Sequence, residues 1–148
     1  MVHGKGHKLA EPLRSLITVN ELGMTGLVVS YRNDPGTTAT ADGYYDYGTT
    51  EWRDLAANVQ YALDQGATDV VLFGYSMGGA VVASFLEKSP LADVVSAVVL
   101  DSPMLDVKQT VYHGADQRTL PLVGLPIPDA LVWSALQISR LRFGSDWY

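Results

Sequence analysis

The sequence predicts an α/β fold in which helices cover both faces of a parallel, doubly wound sheet. Apolar runs at residues 26–31, 69–75 and 95–100 have the composition of strands that are buried on both faces. Amphipathic helical patterns separate these runs, and strands that alternate with helices form parallel sheets. A glycine-rich turn at residues 74–79 joins the second run to a helix.

Apolar spacing and helix-breaking residues place the helices. A first helix is predicted before Gly23 and a second one before Gly66, because glycine commonly ends a helix. Thr49 or Thr50 is expected to cap the second helix. A third helix follows the glycine-rich turn and ends at Ser89.

The loop at residues 36–50 is rich in threonine, glycine and tyrosine. Two interpretations of Tyr44, Tyr45 and Tyr47 stay open. The rings line the entrance for a substrate, or they pack the loop onto a helix.

The carboxyl-terminal residues 107–148 are predicted to form a cap-like or interface region within a single domain, 1–148. Three prolines lie in residues 107–128, which predicts loop structure there. Asp129 is expected to cap a last helix. Its apolar residues spread over more than one stripe, so this helix is expected to pack under a cap or against another chain.

Composition excludes several classes of function. The net charge of −6 and the pI near 4.8 argue against nucleic acid as a partner. The absence of cysteine excludes disulfides and thiolate chemistry and is consistent with a reducing compartment. No run reaches the 18 or so apolar residues of a membrane span, and the amino terminus has no apolar signal-peptide core. We therefore expect a cytoplasmic protein, although a start codon farther upstream would add room for an export signal.

The turn after the second strand run carries the candidate nucleophile. Residues 74–78 read Gly-Tyr-Ser-Met-Gly, with a strand before and a helix after, which is the context of a nucleophile elbow. Gly74 and Gly78 leave room for the sharp turn that lifts the Ser76 hydroxyl clear of the sheet. The Met77 N–H, at the positive end of the helix, points at a carbonyl under attack. The alternative is that Ser76 only caps the helix.

Residues 3–6 read His-Gly-Lys-Gly, and together with the elbow they carry a family resemblance. From His3 to about Asp106 the chain resembles the α/β-hydrolase superfamily, in particular bacterial serine hydrolases with a G-[YW]-S-M-G-G elbow. The resemblance implies that the Lys5 N–H is the second oxyanion-hole donor and that His3 is structural. The alternative is a disordered, glycine-rich terminus.

The resemblance also implies which parts of the fold to look for. Its third strand would precede His3 and lie between the runs at 26–31 and 69–75, so we expect unpaired backbone groups between them. Three explanations stay open: the chain is a fragment, the two strands pair directly, or a partner chain fills the gap in a homo-oligomer.

A serine nucleophile needs a base and an acid, which in this superfamily follow it in the order acid, histidine. Of three histidines, only His113 follows Ser76. Asp101 ends the third strand run, where some lipases of the superfamily carry their acid. We therefore predict a triad of Ser76, His113 and Asp101, against the alternative that His113 is a solvated loop residue and Asp101 a turn residue.

The predicted function is that of a serine hydrolase that cleaves carboxylic esters through an acyl-enzyme at Ser76, without metal or cofactor. Its partner is a small ester or acyl substrate. The alternative is a truncated, weakly active or inactive hydrolase core that acts as an interaction module. A third interpretation keeps the nucleophile and makes the protein an acyltransferase, a thioesterase or a peptidase.

Overall fold

The computed structural model describes residues 1–6, 9–121 and 123–144. The chain forms two compact units, Met1–Leu105 and Asp106–Tyr148. The second unit begins close to the predicted cap-like region. The single-domain organisation stays a prediction.

The first unit has a parallel two-stranded sheet and three α-helices. Strand β1 (Val70–Tyr75) pairs with β2 (Val95–Asp101), and the register sets Tyr75 opposite Asp101. The helices are α1 (Ala10–Glu21), α2 (Trp52–Asp64) and α3 (Met77–Lys88), and a 3-10 turn spans Ala92–Val94. The α/β class and the parallel pairing of the two later strand runs are confirmed.

The core of this unit lies where α3 packs on β1 and on α2. Val81, Val82 and Phe85 of α3 are fully or almost fully buried. They contact a cluster formed by Val2, Val29, Tyr31, Leu55, Val59, Leu72 and Met77. Close packing of this apolar surface is the main stabilising contribution to the unit.

The first predicted strand does not form as such. Residues 26–31 make one isolated parallel bridge, between Val29 and Val2, and are otherwise outside the sheet. Val29 and Tyr31 are nevertheless buried, with 3% and 2% exposure. The apolar run therefore predicts burial correctly. A strand also needs a continuous backbone partner, and this segment lacks one among the described residues.

The first two residues occupy one end of the gap expected between this segment and β1. The Val2 N–H donates to Phe73 O at 2.7 Å, and the Tyr75 N–H donates to Val2 O at 3.0 Å. On the other side, the Val29 N–H donates to Met1 O at 3.1 Å. Val2 thus lies between β1 and the segment at residues 26–31, as a residue of a central strand does. Beyond Met1, residues of β1, of the segment at 26–31 and of α2 line a cavity of about 1050 Å³.

The sheet is less covered than the sequence predicts. Val98, Val99 and Leu100 of β2 are 38–41% exposed, although their composition is typical of a doubly buried strand. Helices on both faces of a larger sheet, and the homo-oligomer that would cover this surface, stay predictions.

In the second unit, α4 (Val107–Asp116) packs against α5 (Asp129–Phe143). The prediction of loop structure throughout residues 107–128 is wrong at its start, because Asp106 caps α4 by accepting a hydrogen bond from the Gln109 N–H at 2.8 Å. Asp129 is the first residue of α5 and not its cap, which is Pro128.

Apolar side chains on α5 divide between buried and exposed positions. Val132 and Leu136 are buried, while Trp133, Ile138 and Leu141 are 55–87% exposed. No helix in the described part of the chain is long and apolar enough to span a membrane.

The start of α2 also differs from the prediction. Glu51, not Thr49 or Thr50, precedes the first helical residue, and its side chain is fully buried. The Glu51 carboxylate turns back and accepts hydrogen bonds from the Asp46 N–H at 2.6 Å and the Gly48 N–H at 2.9 Å. It therefore fixes the turn that leads into the helix.

We expect Glu51→Ala to lower the free energy of unfolding by about 3 kcal/mol, because two backbone N–H groups lose a charged acceptor in a buried turn. Urea unfolding followed by circular dichroism measures the change. The matched control is Glu21→Ala at the exposed end of α1, for which we expect little change. Equal effects of both substitutions would contradict the role of Glu51.

Candidate active site

Ser76 is the one residue between the end of β1 and the start of α3, and its backbone conformation is strained. Its backbone angles are φ 47° and ψ −116°, a region that residues with a side chain rarely occupy. Ser76 is the residue before the first position of α3, but its side chain makes no cap hydrogen bond. The sharp turn is present and the serine side chain does not cap the helix, while the role of Ser76 as nucleophile stays a prediction.

The flanking glycines are needed for close packing. A Cβ on Gly74 would lie 2.9 Å from Gly78 O and from Gly79 N, which is closer than real contacts allow. A Cβ on Gly78 would overlap the carbonyl oxygen of Val2. The turn can therefore approach both its own helix and the amino-terminal segment only with glycine at these positions.

Backbone hydrogen bonds hold the strained residue in place. The Ser76 N–H donates to Asp101 O at 3.0 Å, and Ser76 O accepts from the Gly79 and Met104 N–H groups at 2.9 Å each. The Ser76 side chain is half-buried, and its hydroxyl makes no hydrogen bond within the described residues. The hydroxyl is therefore unengaged within the described part of the chain.

The His-Gly loop lies directly beside this serine. A Cβ on Gly4 would be 3.1 Å from Ser76 Cβ and 3.2 Å from Glu11 Oε2. The Gly4 N–H donates to Glu11 Oε2 at 2.6 Å, so this group is already used. Met77 is fully buried, and its N–H, at the first position of α3, has no intrahelical partner.

Lys5 sits at the exposed tip of the loop. Its ammonium group donates to the Tyr47 hydroxyl and lies 4.9 Å from the centre of the Tyr47 ring. No hydrogen bond of the Lys5 backbone N–H occurs in the described structure. The side chain is thus directed to the 36–50 loop, while the backbone donor stays available.

His3 is buried, in agreement with a structural role. Its Nε2 lies 2.8 Å from Asp34 Oδ2, and its Nδ1 lies 2.8 Å from Gly4 O. The ring stacks on Tyr31 with the ring centres 4.4 Å apart. Burial raises the pKa of the Tyr31 hydroxyl, and the neighbouring Asp34 carboxylate adds to this effect. Tyr31 therefore stays a neutral hydrogen-bond donor beside the loop.

Tyr45 also contacts this network. Its hydroxyl donates to Asp34 Oδ1 at 2.8 Å. Desolvation, followed by the hydrogen bond to Asp34, raises the pKa of Tyr45 to about 12. Tyr45 and Tyr47 pack against the core cluster, whereas Tyr44 is 58% exposed. Packing thus accounts for two of the three tyrosines.

Asp101 ends β2 next to the elbow, but its carboxylate is engaged. Its Oδ2 accepts from Arg14 Nη2 at 2.6 Å, and its Oδ1 accepts from the Ser102 hydroxyl at 3.1 Å. The Arg14 guanidinium also lies over the Tyr75 ring at 4.7 Å. Both charged groups are exposed, at 58% and 44%, so the ion pair is screened by solvent.

His113 belongs to the second unit, on α4, whereas Ser76 and Asp101 belong to the first. Its Nε2 lies 2.8 Å from Gln117 Nε2, one helical turn away, and the side chain is exposed. The triad of these three residues stays a prediction. His7 lies outside the described residues.

Sequence reasoning missed two residues of this site. These are Asp34, which binds His3, and Glu11, which binds the Gly4 N–H. A carboxylate in the first turn after a His-Gly loop is a usable signal, because loop N–H groups need acceptors. Asp34 offers no such signal, since only the folded chain brings it to His3.

In the described part of the chain, no three histidine, aspartate or glutamate side chains cluster to hold a metal ion.

The chain was compared with protein families, curated proteins and solved structures. Residues 31–143 match the family model described as serine aminopeptidase, S33. Neither the curated proteins nor the solved structures gave a significant match. The matched region includes the elbow and most of the described helices. The chain therefore belongs to the serine aminopeptidase S33 family, within the α/β-hydrolase superfamily.

Proposed function

We propose that this hydrolase cleaves carboxylic esters through an acyl-enzyme at Ser76. The observation that carries the proposal is the strained φ of 47° at Ser76, between β1 and α3, with the Gly4 loop against its side chain. A strained serine held by its backbone but with an unengaged hydroxyl is suited to nucleophilic attack.

The proposed reaction has two steps. The Ser76 oxygen attacks the ester carbonyl while a base takes the hydroxyl proton, and the Met77 and Lys5 N–H groups hold the resulting oxyanion. The C–O bond to the alcohol then breaks, and the alcohol leaves with the proton. Water repeats the attack on the acyl-enzyme, releases the acid and restores the Ser76 hydroxyl.

We propose His113 as the general base and Asp101 as the acid that orients it. Asp101 supports this role by its position, since it lies opposite Tyr75 in the sheet and its backbone oxygen binds the Ser76 N–H. To orient a histidine, its carboxylate would have to exchange Arg14 for the imidazole. An exposed ion pair contributes only about 0–1 kcal/mol to stability, so breaking the contact between Arg14 and Asp101 costs little free energy.

A second function is favoured by the exposed apolar surface. The exposed face of β2 and the exposed positions of α5 are surfaces that partners can cover. If the base is absent, the protein acts as an interaction module, and a homo-oligomer is the simplest assembly. Membership of a serine aminopeptidase family also supports peptide bonds as substrates, in which case an amine replaces the alcohol as the leaving group.

The first test separates the nucleophile from other serines. We expect a fluorophosphonate probe to label the protein stoichiometrically and Ser76→Ala to abolish both labelling and hydrolysis of p-nitrophenyl acetate. Ser102→Ala is the matched control, because Ser102 also follows a strand and has a positive φ of 49°. Labelling that survives Ser76→Ala, or that needs Ser102, would contradict the proposal. Intact mass spectrometry reads the result.

The second test concerns the oxyanion donor at Lys5. We expect Lys5→Pro, which removes the backbone N–H, to lower kcat for the ester about a hundredfold, the usual effect of losing one donor. Lys5→Ala keeps the N–H and should change kcat little. Similar losses from the two substitutions would show that the side chain, and not the backbone, is important.

The third test concerns the base. With His113 as the base, His113→Ala should lower ester turnover by several orders of magnitude and slow labelling strongly. Gln117→Ala, which removes the neighbour of His113 on α4, is the control and should leave turnover near the wild-type value. If His113→Ala changes neither rate while Ser76→Ala abolishes labelling, the predicted triad is wrong and the elbow stands.

A further inference from the structure

Asp34 is a buried carboxylate that the proposed reaction does not use. It is 7% exposed and follows the segment that bridges to Val2. Its Oδ2 accepts from the Tyr31 N–H at 2.9 Å and lies 2.8 Å from His3 Nε2, while its Oδ1 accepts from the Tyr45 hydroxyl at 2.8 Å. Both oxygens are therefore fixed. A charge held this firmly in the interior indicates a role beyond closing a turn.

His3 connects this carboxylate to the loop beside Ser76. Its ring is 1% exposed, stacks on Tyr31 and has oxygen atoms at both nitrogens: Asp34 Oδ2 at Nε2 and Gly4 O at Nδ1. Both ring nitrogens are therefore within hydrogen-bond distance of an oxygen atom, and the ring links the Asp34 carboxylate to the Gly4 carbonyl. Held at both ends and on one face, the ring cannot turn.

The far end of this chain of contacts is the peptide group between Gly4 and Lys5. The Gly4 carbonyl and the Lys5 N–H belong to the same planar unit and point in opposite directions in a trans peptide. His3 Nδ1 at 2.8 Å and the Tyr31 hydroxyl at 3.2 Å both contact Gly4 O. Fixing the carbonyl on one side therefore fixes the direction of the Lys5 N–H on the other.

The neighbouring peptide group is fixed as well. The Tyr31 hydroxyl donates to His3 O at 2.9 Å, and the Gly4 N–H is bound by Glu11. Rotation of the Gly4–Lys5 peptide would break the contacts of its carbonyl without a replacement in the buried cluster. The loop is therefore rigid where a preorganised donor is needed.

We propose that Asp34 is a positioning residue that directs the Lys5 N–H toward the oxyanion through His3 and the Gly4 carbonyl. This inference rests on the proposed function, because it assigns the device that sets one of the two oxyanion-hole donors. Asp34 touches neither the substrate nor Ser76. Its effect belongs to the transition state, because the ester carbonyl needs the donor most when it becomes an oxyanion.

The test is a double-mutant cycle between Asp34→Asn and Lys5→Pro, read as kcat and KM for p-nitrophenyl acetate. Asp34→Asn keeps the shape and one oxygen acceptor but removes the charge. We expect it to lower kcat up to about a hundredfold with KM nearly unchanged, since the donor is misdirected only in the transition state. In the Lys5→Pro background, the same substitution should have little further effect, because the donor is already absent.

Controls separate positioning from stability. Asp54→Asn removes the carboxylate that holds Arg32 in the same unit, away from the loop, and should leave kcat near the wild-type value. Thermal melts verify that each variant is folded. If Asp34→Asn does not fold, Tyr45→Phe, which removes one hydrogen bond to Asp34, replaces it with a smaller effect expected in the same cycle.

The outcomes are distinct. A kcat that Asp34→Asn leaves unchanged, or lowers by the same factor with and without the Lys5 N–H, overturns the positioning role while the proposed function stands. A wild-type protein that shows neither ester turnover nor fluorophosphonate labelling overturns the proposed function and this inference with it. Loss of kcat that disappears in the Lys5→Pro background supports the inference.

Discussion

The pairing of Val2 with β1 is the constraint on which the candidate site depends. Val2 exchanges hydrogen bonds with Phe73 and Tyr75 and is fully buried, so the backbone that follows it has one direction available. That direction brings Gly4 against Ser76 and His3 into the interior. The close approach also requires the missing side chain of Gly78, because any Cβ there would overlap Val2 O. Sheet pairing, loop position and nucleophile geometry are therefore one coupled arrangement.

The candidate groups of the site are divided over several parts of the molecule. The candidate nucleophile Ser76 lies between a strand and a helix start. It adjoins a loop in which the Gly4 N–H and the carbonyls of His3 and Gly4 have hydrogen-bond partners, while the Lys5 N–H has none among the described residues. The predicted acid is held by an exposed arginine, and the predicted base lies in the other compact unit. The candidate oxyanion donors are therefore the better preorganised groups of the site. The predicted acid and base, which would transfer the proton, are the least preorganised.

The sequence predicts the part of the fold that local chemistry determines. Gly74 and Gly78 around Ser76 required a sharp turn, and that turn is present with its positive φ. The apolar runs identified buried segments correctly, but residues 26–31 did not become a strand, because pairing depends on a neighbour that lies far away in the sequence. The same reason applies to Asp34, whose partner His3 is brought to it only by tertiary packing. Asp106 caps a helix in a region where the prolines predict a loop.

The backbone angles of Ser76 have a consequence for how this position can vary. A residue with a side chain at φ 47° and ψ −116° costs on the order of 1–3 kcal/mol, and glycine would not incur that cost. Replacement by glycine would therefore stabilise the fold while it removes the hydroxyl. Under the proposed function, stability and activity impose opposite demands on this residue, so a lineage that no longer needed the hydroxyl would drift toward glycine here. The serine at this position therefore costs folding free energy, a cost that is consistent with the proposed role of its hydroxyl.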